Sequence, residues 1–389
     1  MTARRKICVV VTARPSYSRI KTTMEALRGR DDVELQVVVG ASALLERYGR
    51  VVETIRKDGF SIAAEIYSIL EGESPIAMAK TAGLGLLELA TVLSNLKSDL
   101  VVTVADRFET LSTAVAAAYQ NIPVAHIQGG EVTGSIDEKV RHAVTKLADI
   151  HCVATDKAAE RVIRMGERAE TVHVTGCPSI DIAAPILRQP ELNFDPFGKY
   201  GGVGELKELH GGYLVVLQHP VTTEYQDARR HVEETLYAMR DMRDMDMPVL
   251  WFWPNVDAGA DGTSKGIRSF RERHACPHIR FFKNMLPVDF LRLLYNSRCI
   301  VGNSSVAIRE CSYLGVPAVN IGTRQEGRER GANVVDAGYC SGEIREATLR
   351  QAAHGRYASD HLYGDGEAGS RIAEILATAP LHTEKKLAY

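Results

Sequence analysis

Two stretches of this chain gather residues that could do acid–base chemistry on an anionic substrate. The first is His126-Ile127-Gln128-Gly129-Gly130-Glu131-Val132-Thr133-Gly134-Ser135-Ile136-Asp137-Glu138. Its glycines allow backbone to approach a ligand, and its carboxylates can accept or donate a proton. Asp106, in Asp106-Arg107-Phe108-Glu109, adds a carboxylate after a neighbouring apolar run. Plainer roles compete: Asp106 would serve as a helix N-cap, and one of Asp137 and Glu138 is expected merely to favour a helix start. The second stretch is Gly302-Asn303-Ser304-Ser305-Val306-Ala307-Ile308-Arg309-Glu310. A helix is expected to begin at the serines and close at Gly315, so its first turn offers backbone N–H groups and two hydroxyls to phosphate oxygens. Glu310 falls near the apolar stripe of that helix, where a carboxylate needs a partner such as a ribose diol. Capping by Ser304 and a salt bridge from Glu310 is the structural alternative.

Smaller groups follow other apolar runs. Arg14, Ser18 and Arg19 lie in a turn that opens a helix, a suitable place for a diphosphate, although solvated loop arginines would look the same. His219 precedes a turn proline, Asn255 sits in Pro254-Asn255-Val256-Asp257, and Arg324 follows Gly322-Thr323. A lone histidine is more often a satisfied core or surface group than a catalyst. No GxGxxG motif follows any of these runs, which counts against a dinucleotide-binding domain. Seven scattered cysteines without a CxxC pair leave metal and disulfide readings weak, and no metal is expected.

The elements that must position these residues are legible as apolar runs without alternation, the mark of parallel strands buried on both faces. In the first half they are Ile7–Val11, Leu35–Val39, Leu100–Val104, Val124–Ile127, Ile150–Ala154 and Val172–Val174. In the second half they are Leu214–Leu217, Val249–Trp253, Ile279–Phe281, Cys299–Val301 and Ala318–Ile321. Helical patterns separate them, among them Ser18–Arg28, Pro75–Leu96, Arg107–Tyr119, Asp137–Leu147 and Ser305–Leu314. The expected architecture is α/β: two doubly wound Rossmann-like domains facing across a cleft lined by strand carboxyl ends. The domains are expected at 1–187 and 213–366, joined by a Gly/Pro-rich linker at 188–212, with a final helix and tail at 367–389 that could pack on the first domain.

A chain of 389 residues suits two domains, and 47 basic against 49 acidic residues argues against a broad nucleic-acid surface. The apolar run after Arg4-Arg5-Lys6 is too short for an export signal. Ile76–Leu96 contains Lys80, Glu88 and Asn95, so it reads as a core-facing helix and not a membrane span. A cytoplasmic protein is expected.

Taken together, these residues resemble the UDP-N-acetylglucosamine 2-epimerase family, and most of all its hydrolysing branch, found in sialic-acid and legionaminic-acid biosynthesis. The resemblance runs from Arg14–Arg19 through Asp106-Arg107-Phe108-Glu109 and the His126-to-His142 stretch. It continues with Leu217-Gln218-His219-Pro220, Pro254-Asn255-Val256-Asp257, Gly302-Asn303-Ser304-Ser305, and Gly322-Thr323-Arg324-Gln325-x-Gly327-Arg328. It implies a GT-B-like fold, no cofactor, and a UDP-sugar as the partner. A homodimer or homotetramer is expected, with no nucleic acid and no membrane. The residues matching the family's nucleotide and diphosphate holders are Arg14, Ser18, Arg107, His219, Asn255, Ser304, Ser305, Glu310 and Arg324; Arg19 joins them by position. Asp106 and Asp137 match the acid/base set, with His219 beside it. The family's third acid falls at Gln128, and an amide cannot exchange a proton as a carboxylate does. Glu131 is the candidate to stand in. The implied reaction turns UDP-GlcNAc into UDP and free N-acetylmannosamine through a 2-acetamidoglucal. Alternatives are the same chemistry on a UDP-2,4-diacetamido-2,4,6-trideoxyglucose, a non-hydrolysing 2-epimerase, a GT-B glycosyltransferase, and a non-catalytic nucleotide-sugar sensor.

Overall fold

The structure is a computed structural model that describes residues 4–46, 49–70, 74–134, 136–209, 211–242, 247–254 and 259–388. Ser135 and Asn255, both singled out above, lie outside the described residues. The chain divides into two compact units. The first comprises Met1–Glu131, Ile136–Ile182 and Tyr363–Tyr389; the second comprises Val132–Ser135 and Ala183–Leu362.

The first unit is built on strands β1 (Arg5–Val11), β2 (Val33–Gly40), β3 (Ile62–Ile66), β4 (Leu100–Val104), β5 (Val124–Ile127), β6 (Ile150–Val153) and β7 (Val172–Val174). They form one sheet in the order β3-β2-β1-β4-β5-β6-β7 with parallel pairing throughout. Successive β1 residues serve opposite faces. Ile7, Val9 and Val11 join one apolar cluster, while Cys8 and Val10 join the other. That is why the run shows no alternation in the sequence.

The second unit holds β8 (Leu214–Leu217), β9 (Val249–Phe252), β10 (Ile279–Phe282), β11 (Cys299–Gly302), β12 (Ala318–Ile321) and β13 (Val334–Ala337), ordered β10-β9-β8-β11-β12-β13 and again parallel. Strand order therefore reverses between β1 and β4 in one sheet and between β8 and β11 in the other. Ligands of doubly wound sheets bind outside the strand carboxyl ends at such reversals.

Four expectations need revision. The supposed linker carries a short helix, Pro196–Tyr200, whose Lys199 donates to Asp289 at 2.6 Å, and Arg280 bonds the carbonyls of Gly201, Gly202, Gly204 and Leu206. It is packed structure of the second unit, and its glycines serve close approach: a Cβ at Gly204 would lie 2.5 Å from the Ile279 carbonyl oxygen. Strands β3 and β13 gave no apolar run because small and charged residues interrupt them; both are edges, and of their residues only Ile66 is buried. The helix Pro75–Leu96 buries only the stripe Thr81, Gly85, Leu89 and Leu93; Ile76 and Leu87 are 70% and 69% exposed. It is also long and apolar enough to cross a membrane by length and composition alone. The fourth, the helix expected at Ser305, belongs with the site.

The final helix, Ala368–Thr378, closes the first unit against Lys21–Arg28, with Ile372 and Leu376 in the same cluster as Ile20 and Met24. Asp181 ties it down by accepting from Thr22 Oγ1 at 2.8 Å and from the Gly369 amide at 2.6 Å.

Candidate functional site

In the first unit, β4 and β5 each end in a non-glycine residue with left-handed backbone, Ala105 at φ 64 and Gln128 at φ 68. Such a conformation costs about 1–2 kcal/mol per residue and persists only where neighbours enforce it. Here the enforcement is a set of hydrogen bonds. The Ala105 amide donates to the Ile127 carbonyl and the Gln128 amide to the Cys152 carbonyl, both at 2.8 Å. His126, wholly buried in β5, places Nε2 2.8 Å from the Ala105 carbonyl and Nδ1 3.2 Å from Thr145 Oγ1. A carbonyl only accepts, so Nε2 carries the proton. Burial pushes this imidazole down to about 3, which keeps it neutral.

Asp106 follows directly. It is buried, ion-paired to Arg141, and 4.0 Å from Arg19 Nη1. Arg141 is 1% exposed and spans the group: its Nη1 also donates to the Glu131 carbonyl at 2.8 Å and approaches Glu138 at 3.4 Å. One guanidinium thus links Asp106 to the Glu131 backbone and to the helix Asp137–Leu147. Glu138 accepts from His142 Nε2 at 2.8 Å, so it is the helix-start acid occupied with local contacts. Asp137 opens the same helix half-buried, and the Glu131 side chain is buried. Gln128 donates through Nε2 to Cys177 Sγ at 2.7 Å, and that sulfur lies 3.0 Å from Ser179 Oγ. Its Oε1 is buried without a hydrogen-bond partner among the described residues.

The expected cations are placed differently from one another. Arg14 is half-buried and has no ion pair among the described residues; desolvation pushes its guanidinium down to about 10, still protonated at neutral pH. A desolvated cation without a counter-charge suits an anionic ligand. Arg107 is turned onto Glu109 at 3.1 Å, and the Ser18 hydroxyl donates to the Pro15 carbonyl at 3.0 Å.

In the second unit, the ends of β8 and β11 are locked by an amide exchange. The His219 amide donates to Asn303 Oδ1 at 2.7 Å, and Asn303 Nδ2 donates back to the His219 carbonyl at 2.8 Å. Gly302, at φ 140, makes this approach possible, since a Cβ there would lie 2.1 Å from the Leu217 oxygen. The Asn303 carbonyl accepts from Gln325 Nε2 at 2.8 Å and Arg324 Nη1 at 3.3 Å, and Arg328 holds Gln325 at 2.8 Å. His219, Asn303, Ser304 and Arg324 therefore belong to one assembly.

The helix expected at the serines is broken. Ser305–Ala307 is a single tight turn capped by Ser304, whose hydroxyl accepts from the Val306 amide at 3.5 Å, and the α-helix proper is Glu310–Leu314. Arg309, with ψ −73, marks the break. Ala307, Ile308 and Arg309 are all buried, as are Cys311 to Leu314, so one amphipathic face does not organise this segment. Glu310 is half-buried at the start of the short helix, and its Oε2 is buried with no hydrogen bond among the described residues.

Sequence reasoning gave no role of their own to Arg141, His126 and Cys177. A histidine inside the wholly buried run Val124–Ile127 and an arginine four residues into a helix headed by Asp137 were the available signals.

Comparison with known proteins follows the same lines. The profile of the family described as UDP-N-acetylglucosamine 2-epimerase matches residues 25–377. A Legionella pneumophila protein named UDP-N,N'-diacetylbacillosamine 2-epimerase (hydrolyzing) is 31% identical over 380 residues, 98% of this chain and 97% of that one. A Neisseria meningitidis protein named UDP-N-acetylglucosamine 2-epimerase is 27% identical over 382 residues, covering 96% and 95% of the two chains. Among solved structures, a Methanocaldococcus jannaschii UDP-GlcNAc 2-epimerase in complex with UDP-GlcNAc and UDP has a TM-score of 0.80 at 18% identity, over 95% of this chain and 99% of that one. The fold is the two-domain α/β, GT-B-like class expected from the sequence.

Proposed function

Because this chain is a member of the UDP-N-acetylglucosamine 2-epimerase family, we propose that it is a hydrolysing 2-epimerase, converting UDP-GlcNAc to N-acetylmannosamine and UDP. The near-full-length similarity to a relative named as hydrolysing carries this reading.

The C2 hydrogen of a pyranose is not acidic in the ground state. As the C1–O bond to UDP breaks, positive charge develops at C1 and acidifies C2–H. A carboxylate takes that proton, the C1=C2 bond forms, and UDP leaves with the bonding pair. Water then adds its hydroxyl to C1 while a proton is delivered to the opposite face of C2, which inverts that centre. Asp106, fixed beside Arg141 at the end of β4, is suited to the proton transfers, with Asp137 and Glu131. Arg14 and Arg324 are suited to the charge of the leaving diphosphate, and Glu310 to the ribose hydroxyls.

A second reading has its own support: the same steps on UDP-2,4-diacetamido-2,4,6-trideoxyglucose, the sugar named for the Legionella relative. Gln128 stands where the family's third acid falls, and its buried Oε1 can accept a hydrogen bond from an amide N–H. One experiment decides. The pure protein is incubated in D2O with each UDP-sugar, without an acceptor, and products are followed by NMR. UDP with a free manno-configured sugar deuterated at C2 is expected, faster from the true substrate. A UDP-linked epimer alone, or no release of UDP from either sugar, rejects the proposal.

A further inference from the structure

Beside the short helix Glu310–Leu314, three side-chain oxygens from separate segments of the second unit converge on one point. The point is the place that a Cβ on Gly331 would take. Outside residues 330–332, the three heavy atoms nearest to it are Ser312 Oγ at 2.2 Å, Asp360 Oδ2 at 2.7 Å and Asn333 Oδ1 at 3.2 Å. Ser312 and Asn333 are 1% and 2% exposed, and both of these oxygens are buried without a hydrogen-bond partner among the described residues. Two orphaned oxygens side by side are costly and call for a ligand between them.

Their directions are fixed by the surrounding chain. Asn333 Nδ2 donates its two hydrogens to the carbonyls of Ala307 at 3.2 Å and Val316 at 2.9 Å, which leaves Oδ1 facing the point. The Asn333 carbonyl is held as well, by the Ala318 amide at 2.8 Å and Gln351 Nε2 at 2.7 Å. The Asp360 amide donates to the Ser312 carbonyl at 3.2 Å, and Asp360 Oδ1 accepts from the Leu362 amide at 2.9 Å. Its other oxygen, Oδ2, is the one turned to the point. Asp360 is half-buried and has no ion pair among the described residues.

The chemistry of the set selects its ligand. Three oxygens, one of them anionic, refuse an anion and suit a hard cation. A single carboxylate with two neutral oxygens suits one positive charge better than two. Among the described residues no group of three or more His, Cys, Asp or Glu side chains could hold a metal ion, so this mixed set is of a different kind.

We propose that Ser312, Asn333 and Asp360 bind an alkali cation such as sodium, at a position that only glycine at 331 keeps clear of a side chain. The ion joins the helix that starts at Glu310, the segment that follows Arg324, and the stretch after Ser341–His354. It thereby steadies the backbone around two residues offered above for the ribose and the diphosphate. The site does not depend on that reading, so it is tested without nucleotide.

The full chain is melted in sodium chloride and in tetramethylammonium chloride at equal ionic strength. Only the folded chain has the site, so sodium should raise the thermal midpoint by about 3 °C along a saturating curve. Tetramethylammonium is too large to enter and should give no such rise. Asp360→Asn removes the charge of the site and should move the sodium concentration for half the rise up about tenfold or more. Ser312→Ala should move it in the same direction. Broadening of the sodium NMR line by the protein, lost in Asp360→Asn, should report the bound ion directly. Circular dichroism confirms that each variant is folded; should Asp360→Asn fail to fold, Ser312→Ala, which removes one atom, decides. Equal midpoints in the two salts would assign the position to a bridging water and overturn the proposal. A sodium effect unchanged in the folded variants would place the ion elsewhere and overturn it too.

Discussion

The two units repeat one topology but secure their strand reversals by opposite means. In the first, two non-glycine residues are forced into left-handed backbone, and a buried carboxylate is pinned between arginines. In the second, a glycine takes the unusual conformation, and neutral amides exchange hydrogen bonds between neighbouring strand ends. Strain and charge placed together are costly for stability and useful for proton transfer. Neutral amide locks hold a shape without committing charge, which suits a platform that binds. The roles proposed above divide along the same contrast, with the proton transfers in the first unit and most of the nucleotide recognition in the second.

The strongest challenge to that division is Asp106→Asn. Loss of a group that carries a proton in the rate-limiting step should lower kcat by about 10²–10⁴-fold. Removing the counter-charge of buried Arg141 should also cost up to about 3 kcal/mol of stability, so kinetics are measured well below the melting temperature. UDP affinity by calorimetry should stay near the wild-type value. A variant that turns over normally would remove Asp106 from the mechanism.

The converse substitution, Glu310→Ala, should reduce UDP affinity about ten- to hundredfold, as expected for hydrogen bonds to a charged group. The effect on kcat at saturation should be much smaller. Wild-type UDP affinity would contradict the role of this carboxylate; a large loss of kcat with unchanged affinity would erase the contrast between the units.

The mildest effect concerns pH. The His126 imidazole lies at about 3 in the folded chain against 6.5 ordinarily. Between those values the unfolded chain binds a proton that the folded chain refuses. The contribution is therefore present above pH 6.5 and lost as pH falls toward 3, at up to about 1.4 kcal/mol per pH unit. Thermal midpoints between pH 7 and 5 should fall less steeply in His126→Gln than in the wild type. Parallel slopes would show that another group governs acid sensitivity.

What the sequence made legible follows from where information is local. Strands buried on both faces appear as apolar runs, and the residues just beyond them, Asp106, His219 and Asn303, are found by looking at strand ends. The edges β3 and β13 have too little apolar character to stand out. The helix expected at Ser305 fails for the reverse reason: its surroundings bury it all round, so periodicity no longer reports its form. Arg141 and Cys177 are placed by partners far away in the chain, at Asp106 and Gln128, and no local pattern encodes such a meeting. The apolar composition of Pro75–Leu96 reads equally well as core, as membrane or as interface until the stripe at Thr81, Gly85, Leu89 and Leu93 shows which side is used.

The return of the chain to its starting unit sets an order of assembly. Ile372 and Leu376 cover Ile20 and Met24, and Asp181 waits for the amide of Gly369. While the polypeptide is still emerging from the ribosome, everything the second unit needs is available before the last piece of the first. The amino-terminal portion, made earliest, is therefore the last to be sealed. Until then it exposes the groove that Ala368–Thr378 will fill, an interval in which nascent chains of this protein would be open to chaperones.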